Sequence, residues 1–121
     1  MASRLSGGQQ QILAVGQGVI GAPKLLVLDE PSGGLAPIVI DRILEVASEL
    51  CRSGLAILLV EQLVEKALRH AHYGYLMETG RIAAAAFSHE LREGDLLHRV
   101  YLGGGAAAAV AATTTTEKEP V

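Results

Sequence analysis

The sequence is poor in aromatic residues, in cysteine and in long apolar runs. Its 121 residues include no tryptophan, one phenylalanine and three tyrosines, so a core would consist of leucine, isoleucine, valine and alanine. The single cysteine, Cys51, cannot form an internal disulfide, which fits a cytosolic setting. No run reaches the roughly 18 apolar residues of a membrane span, and no signal-peptide pattern opens the chain. We therefore expect any membrane role to be exerted through a partner.

Positive charge is also scarce. Ten Lys and Arg residues stand against 13 Asp and Glu residues, and the basic residues are scattered along the chain. We therefore expect no nucleic-acid partner. A chain of this length, half of it hydrophobic, forms one domain at most. The histidines have no metal-ligand spacing and are expected to be solvated at the surface: His70, His72, His89 and His98.

The spacing of apolar residues predicts alternating helices and strands. A helical period covers residues 9–20, and a second helix is expected to begin at Pro37 and to end at Gly54. Two continuous apolar runs predict parallel strands that are buried on both faces, at residues 25–30 and 56–60. This order indicates an α/β fold in which helices flank parallel central strands.

The C-terminal part predicts a short helix, a hairpin and a tail. Residues 63–70 have a helical pattern, and residues 73–87 predict a hairpin with its turn at Thr79 and Gly80. Ser88 is expected to cap a helical segment that extends to about Tyr101. From Gly103 onward the sequence is low in complexity, so we expect a disordered tail.

Polar residues follow both predicted parallel strands, where such sheets bind ligands. Asp29 and Glu30 end the first strand, and Glu61 and Gln62 end the second. Two acids at the end of a buried strand are costly unless a positive charge meets them, and Mg²⁺ is the natural candidate. One acid would hold the ion, and the next would accept a proton from an attacking water. The alternative is a strand end that leads into a solvated turn.

A second polar motif, LSGGQ, lies at residues 5–9. Ser6 supplies a donor, Gly7 and Gly8 allow a phosphate to approach the backbone, and Gln9 opens a helix whose N-terminus favours an anion. Taken alone, the motif also fits an ordinary Ser-Gly-Gly loop before a capped helix.

Together, the two motifs resemble those of the ATP-binding-cassette (ABC) ATPases. In that family a signature motif LSGGQ precedes a Walker B strand, and here LSGGQ precedes LLVLDEP with one predicted helix between them. The resemblance extends from Leu5 to about Gly104. It implies a partial P-loop NTPase-like α/β domain with a C-terminal hairpin.

Finer details resemble one branch, the ATPase subunits of branched-chain amino acid importers. The matching stretches are LSGGQQQ, PKLLVLDEPSGGLAP, ILLVEQ, METGRI and YLGG. Ala36 stands where most ABC ATPases have Asp, and Gln62 stands where most have a switch His. Both departures are typical of this branch.

The resemblance implies a role for each motif residue in an ATPase that uses ATP and Mg²⁺. Two nucleotide-binding domains dimerise head to tail, and each signature loop contacts the γ-phosphate bound on its partner. Asp29 would bind Mg²⁺, Glu30 would be the general base, and Gln62 would sense the γ-phosphate. The residues expected to meet the partner's phosphate are Ser6, Gly7, Gly8 and Gln9. A loop expected to couple the two sites across the dimer consists of Ser32, Gly33, Gly34, Leu35 and Ala36.

One motif of the family is missing from this sequence. It contains no Gly-x-x-x-x-Gly-Lys-[Ser/Thr] loop to cradle the phosphates. We therefore expect residues 1–104 to be the C-terminal portion of a nucleotide-binding domain, present as a fragment, and residues 105–121 to be the disordered tail. ATP binding by this chain alone is expected to be weak or absent, and uncovered sheet edges would favour aggregation.

Three functions remain open at this point. The first is an ATP-hydrolysing importer subunit on the cytoplasmic face of the plasma membrane, paired with a second ATPase subunit, identical or not, and with transmembrane permease subunits. The second is a non-catalytic half-domain that lends its signature motif in trans or poisons a partner's dimer. The third is a non-transport ABC ATPase, for example in DNA repair or translation.

Overall fold

The computed structural model describes residues 5–95 and 97–98. The described residues form two compact units, divided in sequence between His70 and Ala71. The tail expected beyond Gly103 lies outside the described residues, as does the expected helix end near Tyr101. No described helix has both the length and the apolar character needed to cross a membrane.

The first unit contains three helices and a parallel pair of strands. Strands β1 and β2 pair from Leu25 opposite Ala56 to Asp29 opposite Val60. This arrangement confirms the predicted α/β fold with parallel strands. The elements follow in the order α1 (Gly7–Val19), β1 (Leu25–Asp29), α2 (Pro37–Arg52), β2 (Ala56–Val60) and α3 (Val64–His70).

The core of the first unit lies between the sheet and helices α1 and α2. Val15 from α1 and Ala47 from α2 pack against Leu26 and Leu28 of β1. Helix α2 buries one stripe, Ile40, Ile43, Leu44 and Ala47, at the three- and four-residue spacing of an amphipathic helix. Pro37 occupies its first position, where a missing N–H costs nothing.

The prediction that the two strands are buried on both faces is wrong for the described residues. Successive side chains of a strand point to opposite faces, and α1 and α2 cover only one of them. On the other face Leu25 and Val27 are each 54% exposed, Leu58 is 50% exposed and Val60 is 45% exposed. The sheet therefore presents an apolar face, defined here by these four residues.

The second unit is a hairpin followed by a short helix. Strands β3 (Tyr73–Glu78) and β4 (Arg81–Phe87) are antiparallel, as predicted, and helix α4 covers Ser88–Glu93. Thr79 and Gly80 have φ values of +46° and +76°, and two positive φ values are what a tight hairpin turn with the right twist requires.

Helix α4 differs from its prediction at its start, and the predicted end near Tyr101 lies outside the described residues. Ser88 is its first residue rather than its cap, and Glu90 instead accepts a hydrogen bond from the Phe87 N–H at 3.1 Å. The helix ends at Glu93 because Gly94 is extended, with ψ of 159°.

One face of the hairpin is aromatic. Tyr73 lies opposite Phe87 in the register, and Tyr75 is two positions further along β3. The ring of Tyr73 meets that of Tyr75 at 5.3 Å and that of Phe87 at 5.4 Å, both edge to face. All three side chains are exposed.

Candidate functional site

Two loops lie side by side at the carboxyl end of the parallel strands. The N–H of Glu30 donates to the carbonyl of Val60 at 2.8 Å, which extends the strand pairing by one residue. The residues after β1 and those after β2 therefore leave the sheet together. This is the edge at which parallel sheets bind their ligands.

The structure brings the expected general base and the expected switch residue into contact. The side-chain amide of Gln62 donates from Nε2 to Oε1 of Glu30 at 2.8 Å, and both residues are exposed. The second carboxylate oxygen of Glu30 accepts no hydrogen bond from the part of the chain that the structure describes, so it is available to a water molecule. Such a pair can orient a water and accept its proton.

The backbone of Glu30 is unusual. Its φ is +45°, in a left-handed region that residues with a Cβ adopt rarely and at a cost of about 1–3 kcal/mol. The carbonyl of Glu30 accepts a hydrogen bond from the N–H of Gly33 at 3.1 Å, so the chain turns sharply at this point. The turn points the carboxylate toward Gln62 instead of continuing the strand.

Asp29 lies at the end of β1, exposed, on the same sheet face as Val27. Its carboxylate accepts no hydrogen bond from the described residues, so both oxygens are open to a cation. No group of three or more potential metal ligands exists within the described residues. Mg²⁺ is usually held by one or two carboxylates together with substrate phosphates and waters, and a single open carboxylate fits that mode.

The expected dimer-coupling loop consists of two successive turns. The carbonyl of Glu30 caps the first turn, and the N–H of Leu35 donates to the carbonyl of Ser32 at 3.1 Å in the second. Gly34 has a φ of +70°, which suits glycine. Gly33, Gly34 and Ala36 are exposed, so the tip of this loop is free to meet another molecule.

Sequence reasoning did not assign a role to Glu61. Its carboxylate accepts hydrogen bonds from the backbone N–H of Ser32 at 3.0 Å and from the Ser32 hydroxyl at 2.7 Å. These bonds join residues that are 29 positions apart. The available signal was its position directly after the second predicted strand, because the loops that leave two neighbouring parallel strands lie side by side.

The signature residues begin helix α1. Ser6 is the N-cap: its hydroxyl accepts from the N–H of Gln9 at 3.3 Å, and the Gln9 side chain accepts from the N–H of Ser6 at 3.0 Å. This reciprocal capping box fixes the first turn. Ser6, Gly7 and Gln9 are exposed, whereas Gly8 is buried.

Gly8 has a packing role beyond the one expected from sequence. A Cβ at this position would lie 2.5 Å from Cγ1 of Val39 in α2, closer than packed atoms approach. At Gly7 the corresponding atom would lie 3.5 Å from Leu35, an ordinary contact. The second glycine of the motif therefore lets α1 approach α2, and the first stays available to a ligand.

The signature residues make no hydrogen bond with the Glu30–Gln62 pair. None joins Ser6 or Gln9 to Glu30 or Gln62 within residues 5–95. The expected metal ligand, the expected base and the expected switch residue lie at the ends of the two strands. The signature loop begins α1 near the expected coupling loop, since a Cβ at Gly7 would lie 3.5 Å from Leu35.

Known proteins with similar sequences are ATP-binding subunits of transporters. The chain is 45% identical over 103 residues to the high-affinity branched-chain amino acid transport ATP-binding protein BraG of Pseudomonas aeruginosa. It is 38% identical over 106 residues to the probable branched-chain amino acid transport ATP-binding protein LivF of Archaeoglobus fulgidus. It is 30% identical over 103 residues to the lipopolysaccharide export system ATP-binding protein LptB of Escherichia coli K12. No family model matches the sequence.

Solved structures with a similar fold include the ATP-binding cassette MJ1267 of an ABC transporter. One of its structures superimposes with a TM-score of 0.75 at 29% identity, and its ADP conformation does so with a TM-score of 0.71. These alignments cover 84% of the chain and about two fifths of MJ1267. The matches to BraG and LivF likewise cover 44% of each protein. The chain thus spans less than half the length of the relatives that it matches.

Proposed function

We propose that this chain, which is similar to transport ATP-binding proteins over about 85% of its length and to an ATP-binding cassette of an ABC transporter in fold, supplies the hydrolytic segment of such an ATPase. The segment would contribute the general base, the magnesium-binding carboxylate and the signature loop. The main support is the 2.8 Å hydrogen bond between Gln62 and Glu30 at the strand ends.

In this proposal Glu30 acts as the general base. Its free oxygen accepts a proton from the water that attacks the γ-phosphate, and Gln62 keeps the carboxylate oriented. Gln62 donates through a neutral amide, so it holds or senses a phosphate oxygen without changing charge. Asp29 would hold Mg²⁺, which neutralises charge on the phosphate oxygens when bound.

The signature loop would act on a second ATPase subunit. Ser6, Gly7 and Gln9 are exposed at the N-terminus of α1, where free N–H groups and the helix dipole favour a phosphate. Within residues 5–95 they make no hydrogen bond with the Glu30–Gln62 pair, which leaves them available to a partner's ATP. The exposed tip of the loop at residues 32–36 would meet the same partner.

The transported solute is proposed from the relatives. BraG and LivF are named for branched-chain amino acid transport, and the GLAP and VEQ stretches of this chain match that branch. LptB, named for lipopolysaccharide export, is less similar. We therefore propose a branched-chain amino acid importer, with permease subunits in the membrane and this chain on the cytoplasmic side.

A chimera tests the proposal because it supplies the phosphate-binding loop that this sequence lacks. The aligned segment of BraG is replaced by this chain's 103 aligned residues, and ATP hydrolysis and ATP binding are measured. We expect the chimera to hydrolyse ATP and Glu30→Gln to abolish hydrolysis while ATP binding is retained. Glu45→Gln, on the exposed face of α2 in an ion pair with Arg42, is the matched control and should retain activity.

Two results would contradict the proposal. A folded chimera that binds ATP without hydrolysing it would show that this segment lacks a working base. Inhibition of intact BraG by the isolated chain, together with an inactive chimera, would favour the half-domain that interferes with a partner.

A further inference from the structure

Glu61 joins the two loops of the site through a single carboxylate. Oε1 accepts a hydrogen bond from the Ser32 N–H at 3.0 Å, and Oε2 accepts one from the Ser32 hydroxyl at 2.7 Å. Oε2 also accepts from the backbone N–H of Gln62 at 3.2 Å. The contact with Ser32 is partly buried, so water competes less for these donors than at the open surface.

The two loops are connected twice, in opposite directions. Gln62, after β2, reaches across to Glu30, and Ser32, after β1, reaches across to Glu61. Because Glu30 is two positions from Ser32 and Glu61 adjoins Gln62, the four residues close a ring of backbone and hydrogen bonds. Neither Ser32 nor Gln62 can move far without breaking a bond in this ring.

The chemistry of the contact favours a carboxylate. All three groups that face Glu61 are donors, and an ionised carboxylate only accepts. Glutamine would keep one acceptor oxygen but would turn an N–H toward one of these donors. Hydrogen bonds to an ionised acceptor are also shorter and stronger than neutral ones, so the loops are held more firmly.

We propose that Glu61 is a positioning residue for ATP hydrolysis, which ties the loop at Ser32 to Gln62 and so holds Gln62 against Glu30. The role rests on the proposed function of Glu30 and Gln62. It also makes Gln62 responsive to Ser32, which begins the exposed loop expected to meet the second subunit. A displacement of that loop would move the Glu61 carboxylate and therefore Gln62, which lies beside the base.

The first test uses NMR on the isolated chain to follow the environment of the Gln62 side chain, so it does not depend on ATP hydrolysis. In Glu61→Ala we expect the side-chain amide signals of Gln62 to move toward those of a solvated glutamine. Hydrogen exchange at the Ser32 amide should accelerate by about tenfold or more, because its acceptor is gone. Glu61→Gln should give an intermediate result, since it keeps one acceptor. Glu45→Ala is the matched control and should leave both signals unchanged.

A milder pair of variants covers the case in which Glu61→Ala does not fold. Ser32→Ala removes only the hydroxyl and should shift the Gln62 amide signals in the same direction by a smaller amount. Ser53→Ala removes a hydroxyl that donates to the Leu50 carbonyl at 2.7 Å and should not shift them. Unchanged Gln62 signals in both Glu61→Ala and Ser32→Ala would overturn the proposal.

The second test measures kinetics in the BraG chimera. We expect Glu61→Ala to lower kcat by roughly 10- to 100-fold, the size of effect that a small misplacement causes. The KM for ATP should stay within about twofold, because binding is not the step affected. A raised KM with unchanged kcat would contradict a positioning role. If the parent chimera hydrolyses no ATP, the proposed function fails, and the NMR test still decides whether Glu61 positions Gln62.

Discussion

At the residue scale, the two glycines of the signature motif have different environments. Gly8 is buried where a Cβ would lie 2.5 Å from Val39, and Gly7 is exposed with its nearest neighbour at 3.5 Å. Sequence reasoning treated both as places where a phosphate approaches the backbone. The structure adds that the second glycine sets the distance between α1 and α2.

This difference predicts opposite outcomes for two matched substitutions. Gly8→Ala should lower the free energy of unfolding by about 1–3 kcal/mol, because a stiff Val39 cannot yield to the added methyl group. Gly7→Ala should change it by less than about 0.5 kcal/mol or raise it, since alanine favours a helix. Urea denaturation of each variant measures the difference. Equal stability of both variants would show that Gly8 does not limit the approach of the helices.

Glu30 and Glu61 show which features of single residues can be predicted from the sequence and which cannot. The acids at the end of β1 predicted a metal ligand and a base, and the family resemblance implied a switch residue at Gln62. Glu30 and Gln62 are in contact and Asp29 precedes Glu30, while the three roles stay predictions. The positive φ of Glu30 and the bridge from Glu61 to Ser32 could not be predicted. Both depend on how two loops from distant parts of the sequence fit against each other, and periodicity carries no information about that fit.

At the scale of elements, helix α1 contains two glycines that look alike in sequence. A Cβ added at Gly16 would meet nothing within 4 Å outside its own stretch of helix, whereas one added at Gly18 would lie 2.8 Å from Cδ1 of Leu26. Each glycine weakens a helix by up to about 1 kcal/mol relative to alanine. Of these two, only Gly16 can be replaced without a close contact, because a side chain at Gly18 would meet Leu26 of the sheet.

The surroundings of Gly16 and Gly18 predict how much alanine at each position can stabilise α1. Gly16→Ala should raise the free energy of unfolding by up to about 1 kcal/mol, the difference in helix propensity. Gly18→Ala should raise it less or lower it, since Leu26 must move to admit the methyl group. Thermal unfolding followed by far-ultraviolet circular dichroism compares the two. A larger gain from Gly18→Ala would contradict the packing of α1 on β1.

The elements themselves were the most predictable part of the fold. Apolar runs and turn residues predicted both parallel strands and the hairpin because those signals are local. Helix α3 shows the limit of local signals. His70 was expected to be solvated, yet it is half-buried and its Nδ1 lies 2.9 Å from the hydroxyl of Ser48 in α2. Lys66 and Asp41 form a second polar contact between the same two helices.

At the scale of the whole molecule, the apolar sheet face is the dominant surface feature of the first unit. Its four residues, Leu25, Val27, Leu58 and Val60, are about half exposed. Val27 lies opposite Leu58 in the register, and Leu25 and Val60 lie two positions from them on the same face. The two apolar runs were predicted to form strands buried on both faces, so these residues were expected to be buried. Large exposed apolar patches and unpaired strand edges favour association between molecules.

A charge placed on this face should reduce self-association without changing the fold. Val27→Lys is expected to lower self-association of the isolated chain at a given concentration while circular dichroism stays unchanged. Leu28→Lys, one position along the same strand but 7% exposed, should unfold the first unit because it buries an unpaired charge. Sedimentation velocity measures association in both. Self-association of Val27→Lys equal to that of the parent would show that another surface is responsible.

The aromatic face of the hairpin has a practical consequence for spectroscopy. Tryptophan is absent, and all three tyrosines and the phenylalanine follow Ala71 in the sequence. Ultraviolet fluorescence and near-ultraviolet dichroism therefore report only on the part of the chain from Ala71 onward. The unit that carries Glu30, Glu61 and Gln62 is optically silent at these wavelengths, and a single tryptophan introduced at an exposed site such as Ile38 would give it a separate signal.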